Sequence, residues 1–251
     1  NAMKLPRRTF LHLAGAAAAL PVVSRIARAQ AYPTRPIRLV VPFPPGGAFD
    51  AVGRPWADRM KSLLGTMVVE NIGGGGSSLG ASAAARAQPD GYTILLGGTQ
   101  THVNEALLKS RPLYDPGKDL DPIAGVAAYF LGIAVHPVVP VQTLKELIAY
   151  AKANPGKLSY AHAGVGTIQH LTGELFKSLT GTPEIVQVPY RGTGPAIADV
   201  VAGQVPIGIV GVTGQVLEFD RSGKMRVLAV TSPKRLTVAP EPADDDREGR
   251  H

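Results

Sequence analysis

A glycine-rich stretch early in the chain has the residue types that hold an anion. It follows Ile37–Val41, a β-branched and apolar run of the kind that forms a buried strand. Three prolines interrupt the chain after that run, Gly46-Gly47 follow, and Asp50 opens a helical pattern. A strand, a glycine turn and a helix N-terminus direct unpaired N–H groups at one place, where a carboxylate fits. An ordinary strand–helix connection that binds nothing explains this stretch equally well.

A second motif points to different chemistry. Gly76-Ser77-Ser78-Leu79-Gly80 matches G-x-S-x-G, the pattern around the nucleophilic serine of α/β-hydrolases. That chemistry needs a sharp strand-to-helix turn and an Asp and a His later in the chain. Here the four glycines Gly73–Gly76 separate Ser78 from the preceding apolar run, which favours a loose loop over a strained nucleophile. A secreted serine hydrolase that uses Ser78 is kept as the alternative.

Other candidate motifs give weaker signals. Gly164–Gln169 begins like a dinucleotide-binding loop but has glutamine at the third glycine position, and no Walker lysine follows a glycine run. The histidines after residue 100 lack the spacing of metal ligands, so we expect no metal and no cofactor. Arg191, beside Tyr190 in a glycine-flanked loop, could bind an anion or be a solvated surface charge.

Short apolar runs that predict strands alternate with helical patterns along the chain. Repeated strand–loop–helix units indicate a parallel α/β sheet. Glycine and hydroxyl residues collect on the loops after the strands, which is where open α/β sheets bind ligands. The predicted strands are Ile37–Val41, Thr66–Asn71, Tyr92–Leu96, Phe130–Val135, Leu158–Ala161, Ile185–Val188, Val205–Val210 and Arg226–Thr231.

Helix signals separate these runs. Apolar residues at helical spacing predict a helix that opens at Asp50 and ends at Gly65. Thr143 and Glu146 form a capping-box pattern that begins a helix ending at Ala153. Further helical patterns follow the glycine-rich loops and end at Gln88, Gly181 and Gly203.

The first 29 residues have the features of an export signal. Asn1-Ala2 resembles a cloning remnant before Met3, and Arg7-Arg8 precede the short apolar run Leu13–Val23. Ala27-Arg28-Ala29 matches a signal-peptidase site, so we expect cleavage after Ala29 and delivery to the periplasm. The paired arginines favour the twin-arginine route, and an ordinary secretory signal would change only the route.

The composition of the remaining chain points to no strongly charged partner. Of the 26 basic residues, five lie in residues 1–29, which contain no acidic residue, so 21 basic residues face 19 acidic ones. A balance this close to neutral implies neither nucleic acid nor a membrane surface as partner. The chain has no cysteine, which rules out disulfides and thiolate metal sites.

Many short motifs, in register from Tyr32 to Arg235, resemble one family, the Bug-type solute receptors of tripartite tricarboxylate transporters. The first is the proline- and glycine-rich stretch described above, and the others occur in the same order as in the family. They are Val41–Gly47 with Asp50, Val69–Asn71, Asp90–Thr93, Tyr114–Pro116, Lys118-Asp119, Pro155–Leu158, His170-Leu171, Gly173–Phe176, Val188–Gly192, Gly203–Val205, Gly223-Lys224, Leu228–Ser232 and Lys234-Arg235.

The resemblance implies a two-domain α/β periplasmic binding protein, type II-like, with a hinged ligand cleft. The first domain would comprise residues 30–125, with 232–251 as a truncated return, and the second residues 126–231. The segment from Pro240 to His251 has no large apolar residue, so the C-terminal part of the first domain is expected to be missing and the tail disordered.

The resemblance also implies where the ligand lies. The loop at Pro45–Gly47 would hold one carboxylate through main-chain groups, and the loop at Gly164–Thr167 would hold the other end, with Tyr190 and Arg191 closing over it. Phe49 is bulky and would line the pocket, which suits an aromatic or otherwise apolar acid. The expected binding residues are Phe43, Pro45, Gly46, Gly47, Phe49, Asp50, Gly76, Ser77, Thr99, Thr101, His102, Gly164, Gly166, Thr167, Tyr190 and Arg191.

The sequence therefore predicts a non-enzymatic, monomeric receptor with no cofactor and no catalytic residue. Its ligand would be a small organic acid, either a di- or tricarboxylate or an aromatic acid, and its partners the membrane permease subunits. A ligand sensor for a membrane kinase would use the same cleft and stays a second alternative.

Overall fold

The structure, a computed structural model, describes residues 32–234. The expected export signal in residues 1–29 and the chain after residue 234 lie outside the described residues. From Arg35 onward the described chain belongs to one compact unit, which contains two β-sheets. The predicted division into two domains at residue 125 stays a prediction.

The first sheet has three parallel strands, with the central strand earliest in sequence. Its strands are β1 (Ile37–Val41), β2 (Met67–Asn71) and β3 (Thr93–Leu95), in the order β2-β1-β3. β1 is flanked on both sides, and four of its five residues are buried, as its unbroken apolar sequence predicts.

Helices connect the strands of this sheet. α1 (Ala48–Leu64) joins β1 to β2 and ends at Gly65. α2 (Ser78–Ala85) joins β2 to β3, and a turn of 3-10 helix at Gly75–Ser77 precedes it. After β3 come a π-helical turn at Gln100–Asn104 and the short α3 (Glu105–Leu108).

The second sheet has five strands in the order β6-β5-β7-β4-β8. They are β4 (Leu131–Val135), β5 (Ser159–His162), β6 (Val186–Pro189), β7 (Ile207–Gly211) and β8 (Arg226–Val230). β5 runs parallel to both β6 and β7, whereas β4 runs antiparallel to β7 and β8. The expectation of a purely parallel sheet is therefore wrong for β4, because two of its neighbours run against it.

Four helices accompany this sheet: α4 (Leu144–Ala153), α5 (Ile168–Thr180), α6 (Thr193–Val201) and α7 (Gly214–Arg221). Thr143 caps α4 by accepting from the Glu146 N–H, as predicted. The Glu146 carboxylate accepts from the Gln142 N–H, one residue before the position that a capping box requires.

The boundaries of most strands agree with the sequence prediction to within two residues, and two helical segments were not predicted. α1 begins at Ala48, two residues before Asp50. The unpredicted segments are Gln100–Leu108 and α7, and the first of them contributes to the site described below. No helix in residues 32–234 is long and apolar enough to cross a membrane.

Candidate functional site

The loops at the carboxyl ends of the strands meet between the two sheets. Pro44–Gly47, after β1, packs on Gly192–Gly194, at the start of α6, and we call this the Pro44 contact. A Cβ atom placed on Gly194 would lie 2.6 Å from the carbonyl oxygen of Pro45. That is closer than a carbon and an oxygen can stand, so glycine is what allows the two main chains to meet.

Asp50 holds the Pro44–Gly47 loop from within. Its buried carboxylate accepts from the Gly46 N–H at 3.1 Å, from Arg54 Nε at 3.0 Å and from Asn71 Nδ2 at 2.9 Å. Burial works to raise the pKa of Asp50, but these donors outweigh it, and the pKa stands below its usual value. In this structure the Gly46 N–H therefore serves the loop itself.

A second contact joins Gly75–Ser77, after β2, to Gly164–Thr167, after β5, and we call it the Gly76 contact. A Cβ atom on Gly76 would lie 2.7 Å from the Val165 carbonyl oxygen. Asn104 adds a hydrogen bond between the two sides, since its Nδ2 donates to the Gly166 carbonyl oxygen at 2.7 Å.

Two histidines hold the Gly164–Thr167 loop. The Gly164 N–H donates to His162 Nδ1 at 3.2 Å, and the Gly166 N–H donates to His170 Nδ1 at 3.3 Å. Burial lowers the pKa of His162, which favours the neutral imidazole that can accept such a bond. The loop N–H groups predicted to hold the ligand are thus bonded to imidazoles in this structure.

A cavity of about 260 Å³ lies beside the Gly76 contact and takes its walls from both sides. Its lining combines three leucine or valine side chains with two amides, one carboxylate, one lysine, one histidine and two glycines. The lining residues are Gly76, Gln100, Asn104, Glu105, Leu108, Lys109, Val165, Gly166, His170 and Leu171.

Three buried polar atoms near the cleft have no hydrogen-bond partner among the described residues. They are Ser77 Oγ, Gln100 Nε2 and Gln169 Oε1, on side chains that are at most 3% exposed. Ser77 also has a left-handed backbone with φ at 91°, which is uncommon outside glycine. Buried polar groups are nearly always paired, so these atoms point to a missing partner.

Tyr129 interacts with two of these buried side chains, Gln100 and Gln169. Burial raises the pKa of its hydroxyl, while the nearby Gln100 and Gln169 side chains act in the opposite direction. Phe49 meets the Tyr129 ring edge-on at 6.0 Å, and Phe43 lies 4.9 Å from Phe49. The cleft therefore joins an aromatic wall to a small group of buried amides.

The comparisons with known proteins bear on this cleft. A model of the tripartite tricarboxylate transporter family receptor (TctC) matches residues 52–244. The chain belongs to this receptor family. BugT of Bordetella pertussis is 39% identical over 215 residues, which cover 84% of this chain and 65% of BugT. The chain thus spans about two thirds of the length of this relative.

Two solved structures resemble the chain closely. A periplasmic transporter is 43% identical, with a TM-score of 0.79, covering 82% of this chain and 69% of its own. A Rhodopseudomonas palustris protein solved with adipate is 36% identical, with a TM-score of 0.77, covering 81% of this chain and 68% of its own. The α/β periplasmic binding protein fold predicted from the sequence is confirmed by these neighbours.

In this receptor, most of the predicted binding residues lie at the two contacts or on the aromatic wall. Those on the first sheet's side are Phe43, Pro45, Gly46, Gly47, Phe49, Asp50, Gly76 and Ser77, and those on the second sheet's side are Gly164, Gly166 and Thr167.

Other predicted residues are placed differently. Thr99, His102 and Arg191 are exposed. Thr101 is fully buried, and its hydroxyl is bonded within its own turn to Gly98. Tyr190 donates its hydroxyl to Asp199 at 2.6 Å, which ties it to α6. The structure therefore does not bring these five side chains together around the cleft.

The serine of the hydrolase motif is part of a buried ion-pair network. Ser78, 1% exposed, donates to Gly75 O at 2.8 Å and to Glu105, and Lys109 contacts both Ser78 and Glu105. Burial works to raise the pKa of Glu105, but the bonds from Ser78, the Leu113 N–H and Lys109 leave it lowered. A carboxylate with a lowered pKa is a weak base, so the arrangement favours a structural role for Ser78.

Sequence reasoning missed several residues of the site, namely Gln100, Asn104, Glu105, Lys109, Tyr129 and Gln169. Gln100, Asn104 and Glu105 belong to the unpredicted segment after β3, where no clear periodicity marks a helix, and Lys109 follows it directly. Gln169 did stand out, because it replaces the third glycine of a dinucleotide motif, but that observation was used only to exclude a dinucleotide.

Proposed function

We propose that this receptor captures a small organic acid between its two sheets and presents it to the permease subunits of a tripartite tricarboxylate transporter. It acts without catalysis, as a monomer, in the periplasm. The adipate-bound relative supports a carboxylate ligand, and the chain's own motif after residue 26 supports export with cleavage after Ala29. Protein recovered from the periplasm should then begin at Gln30, and a larger mass by mass spectrometry would contradict cleavage after Ala29.

The observation that carries the proposal is the meeting of both sheets around buried, unpaired polar atoms. Gln100 lies in the turn after β3, whereas Gln169 is the second residue of α5 beside the second sheet. Ligands of open α/β proteins bind beyond the carboxyl ends of the strands, which is where these residues lie. A partner that spans the cleft is needed to satisfy atoms on both sides.

The chemistry of the cleft fits a small acid with an apolar body. Gln100 Nε2 and Ser77 Oγ can donate to a carboxylate, and Lys109, which lines the cavity with its side chain 32% exposed, adds a positive charge. Phe43 and Phe49 offer apolar surface to the rest of the ligand. A cavity of about 260 Å³ is smaller than the 300–1,000 Å³ typical of drug-sized ligands, which favours a small molecule.

The test is calorimetry with di- and tricarboxylates and aromatic acids, on the wild type and on two glycine variants. Gly194→Ala should weaken binding of any acid by about tenfold or more, because its Cβ would meet Pro45 O at 2.6 Å and hold the Pro44 contact open. Gly214→Ala is the matched control, since Gly214 also stands at a helix start but has nothing within 4 Å of an added Cβ.

No binding of any acid by folded wild-type protein would contradict the proposal, and so would equal affinities in the two variants. Turnover of a chromogenic ester that is lost in Ser78→Ala would instead favour the hydrolase. The ion pair of Glu105 with Lys109 next to Ser78 leads us to expect no such turnover.

A further inference from the structure

The cavity beside the Gly76 contact changes character from its inner end to its mouth. Gln100, Asn104 and Glu105 line it and are at most 8% exposed. Leu108 and Val165 line it too, but they are 51% and 57% exposed. The three polar side chains therefore lie at the inner end, and the two apolar side chains stand where the cavity opens to solvent.

The mouth takes an apolar side chain from each side of the cleft. Leu108 ends α3, which follows the first sheet, and Val165 lies in the loop after β5. Leu108 reaches across the contact, because a Cβ atom placed on Gly166 would lie 4.0 Å from Leu108 Cδ1. Leu171, the fourth residue of α5, adds a further apolar side chain to the lining. Leucine and valine are usually buried, so their exposure together at a cavity mouth marks a place that an apolar group covers.

The charges on the lining come as one pair. Lys109 Nζ lies 3.1 Å from Glu105 Oε2, and these two are the lysine and the carboxylate among the described lining residues. His170 accepts at Nδ1 from the Gly166 N–H, as a neutral imidazole does. At the inner end, Gln100 Nε2 is a donor with no partner among the described residues. The described lining therefore suits one carboxylate and has no further lysine or arginine for a second.

We propose that this cavity takes a monocarboxylic acid with an alkyl tail, and that it holds the carboxylate at the Gln100 end and the tail between Leu108 and Val165. The inference rests on the proposed function and narrows the ligand to acids with one carboxylate and an extended apolar tail. A tail that displaces water from the two exposed side chains buries apolar surface, so affinity should rise with each methylene that reaches the mouth. A second carboxylate there would lose its water without a cation in exchange.

The test is calorimetry on the wild type with butanoate, hexanoate and octanoate, and with the diacids succinate and adipate. A fully buried methylene raises affinity about fourfold, and a half-exposed one about twofold. Octanoate should therefore bind about tenfold tighter than butanoate, or more. Butanoate should bind tighter than succinate, and hexanoate tighter than adipate, because each pair has the same number of carbons and differs by one charge.

Three results would overturn the inference and leave the proposed function standing. They are affinities that do not rise along the monoacid series, a diacid that binds tighter than its monoacid, and binding of another organic acid when none of these five binds. If no organic acid binds to the folded protein, the proposed function and the inference both fail.

Variants then locate the tail. Leu108→Asn and Val165→Thr should each reduce the preference for octanoate over butanoate to about threefold or less, while butanoate keeps its affinity. The matched controls lie outside the lining and should keep the full preference: Leu107→Asn, at a leucine 76% exposed, and Val186→Thr, at a valine 56% exposed on β6. All four residues are exposed, so the variants should fold as the wild type does. A preference that survives in both cavity variants, or that falls equally in the controls, would place the tail elsewhere and overturn the assignment.

Discussion

The two contacts that join the sheets differ in what holds them. The Pro44 contact places main chain against main chain, with Pro45 O and Gly194 too close for any side chain between them. The Gly76 contact also brings main chains together, but it adds the Asn104–Gly166 hydrogen bond and borders a cavity of about 260 Å³. The first contact is main chain packed directly on main chain, whereas the second has a cavity at its side.

The supports behind the contacts differ as well. Asp50 stabilises the loop of the Pro44 contact through donors on its own side of the cleft. The Gly76 contact depends on Glu105 and Lys109 on one side and on His162 and His170 on the other. We infer that the Pro44 contact limits how far the cleft closes, and that the stability of the Gly76 contact depends on what is bound in the cavity beside it.

The largest expected effect is the loss of stability on removing Glu105, the carboxylate that pairs with Lys109 beside the Gly76 contact. Glu105→Ala should lower the free energy of unfolding by about 3 kcal/mol, because it leaves Lys109 and Ser78 without their shared carboxylate. This value is at the low end of the cost of breaking a buried ion pair, because the Lys109 side chain is 32% exposed to solvent. Urea unfolding measures the change.

The control for Glu105 is an ion pair on the surface. Asp58 and Lys61 pair at 2.7 Å with side chains 73% and 55% exposed, so Asp58→Ala should leave stability unchanged within error. If Glu105→Ala behaved like Asp58→Ala, the network would not support the Gly76 contact and the comparison would fail.

The sequence predicted the turn at Pro44–Gly47 better than it predicted the groups that support the Gly76 contact, and the reason is physical. Pro44, Gly46 and Gly47 fix their backbone by local rules, so their turn can be read without knowing the rest of the fold. Glu105 bonds to Ser78, 27 residues away, and Gln169 bonds to Thr193, 24 residues away, so part of each role depends on a distant partner. A single sequence does not show which distant residues will meet.

The same distinction explains the strands. Apolar runs predicted where the strands lie, because burial on both faces requires them. The antiparallel direction of β4 depends on how the chain returns after residue 109, and no local pattern encodes that return. The unpredicted helical segment Gln100–Leu108 follows from tertiary contacts such as the Asn104–Gly166 bond.

A smaller effect is expected on ligand affinity when the hydrogen bond across the Gly76 contact is removed. Asn104→Ala removes the 2.7 Å bond to the Gly166 carbonyl, which joins the two sides of the Gly76 contact. One such bond contributes about 1 kcal/mol, so the affinity for the bound acid should fall about fivefold with little change in stability. Asn154→Ala is the control, because Asn154 bonds to Tyr150 within its own turn. Equal affinities in the two variants would mean that the bond does not act on closure.

The smallest effect separates the two contacts by pH. The Gly164 N–H can only donate, so His162 Nδ1 accepts and the ring proton lies on Nε2, facing Gln187 Oε1 at 2.6 Å. Protonation of Nδ1 would remove the acceptor of the Gly164 N–H. The groups that face this imidazole are His170, Gln187 and Glu174. Burial is the largest influence and lowers the pKa of His162, and Gln187 and Glu174 only partly offset it.

The sign of the pH effect follows from that direction. The unfolded chain takes up a proton at His162 near its ordinary pKa of about 6.5, whereas the folded protein does so only at lower pH, so stability falls as pH drops below about 6.5. Asp50, whose pKa is lowered from the ordinary carboxyl value, keeps its full contribution to stability across this range.

The melting temperature should therefore fall between pH 7.5 and 5.5. It should fall less in His162→Gln, whose side chain can still accept from the Gly164 N–H. His136→Gln, at a histidine on a turn before α4, should show the full fall. A fall of the same size in His162→Gln would mean that the Gly76 contact has no titrating support.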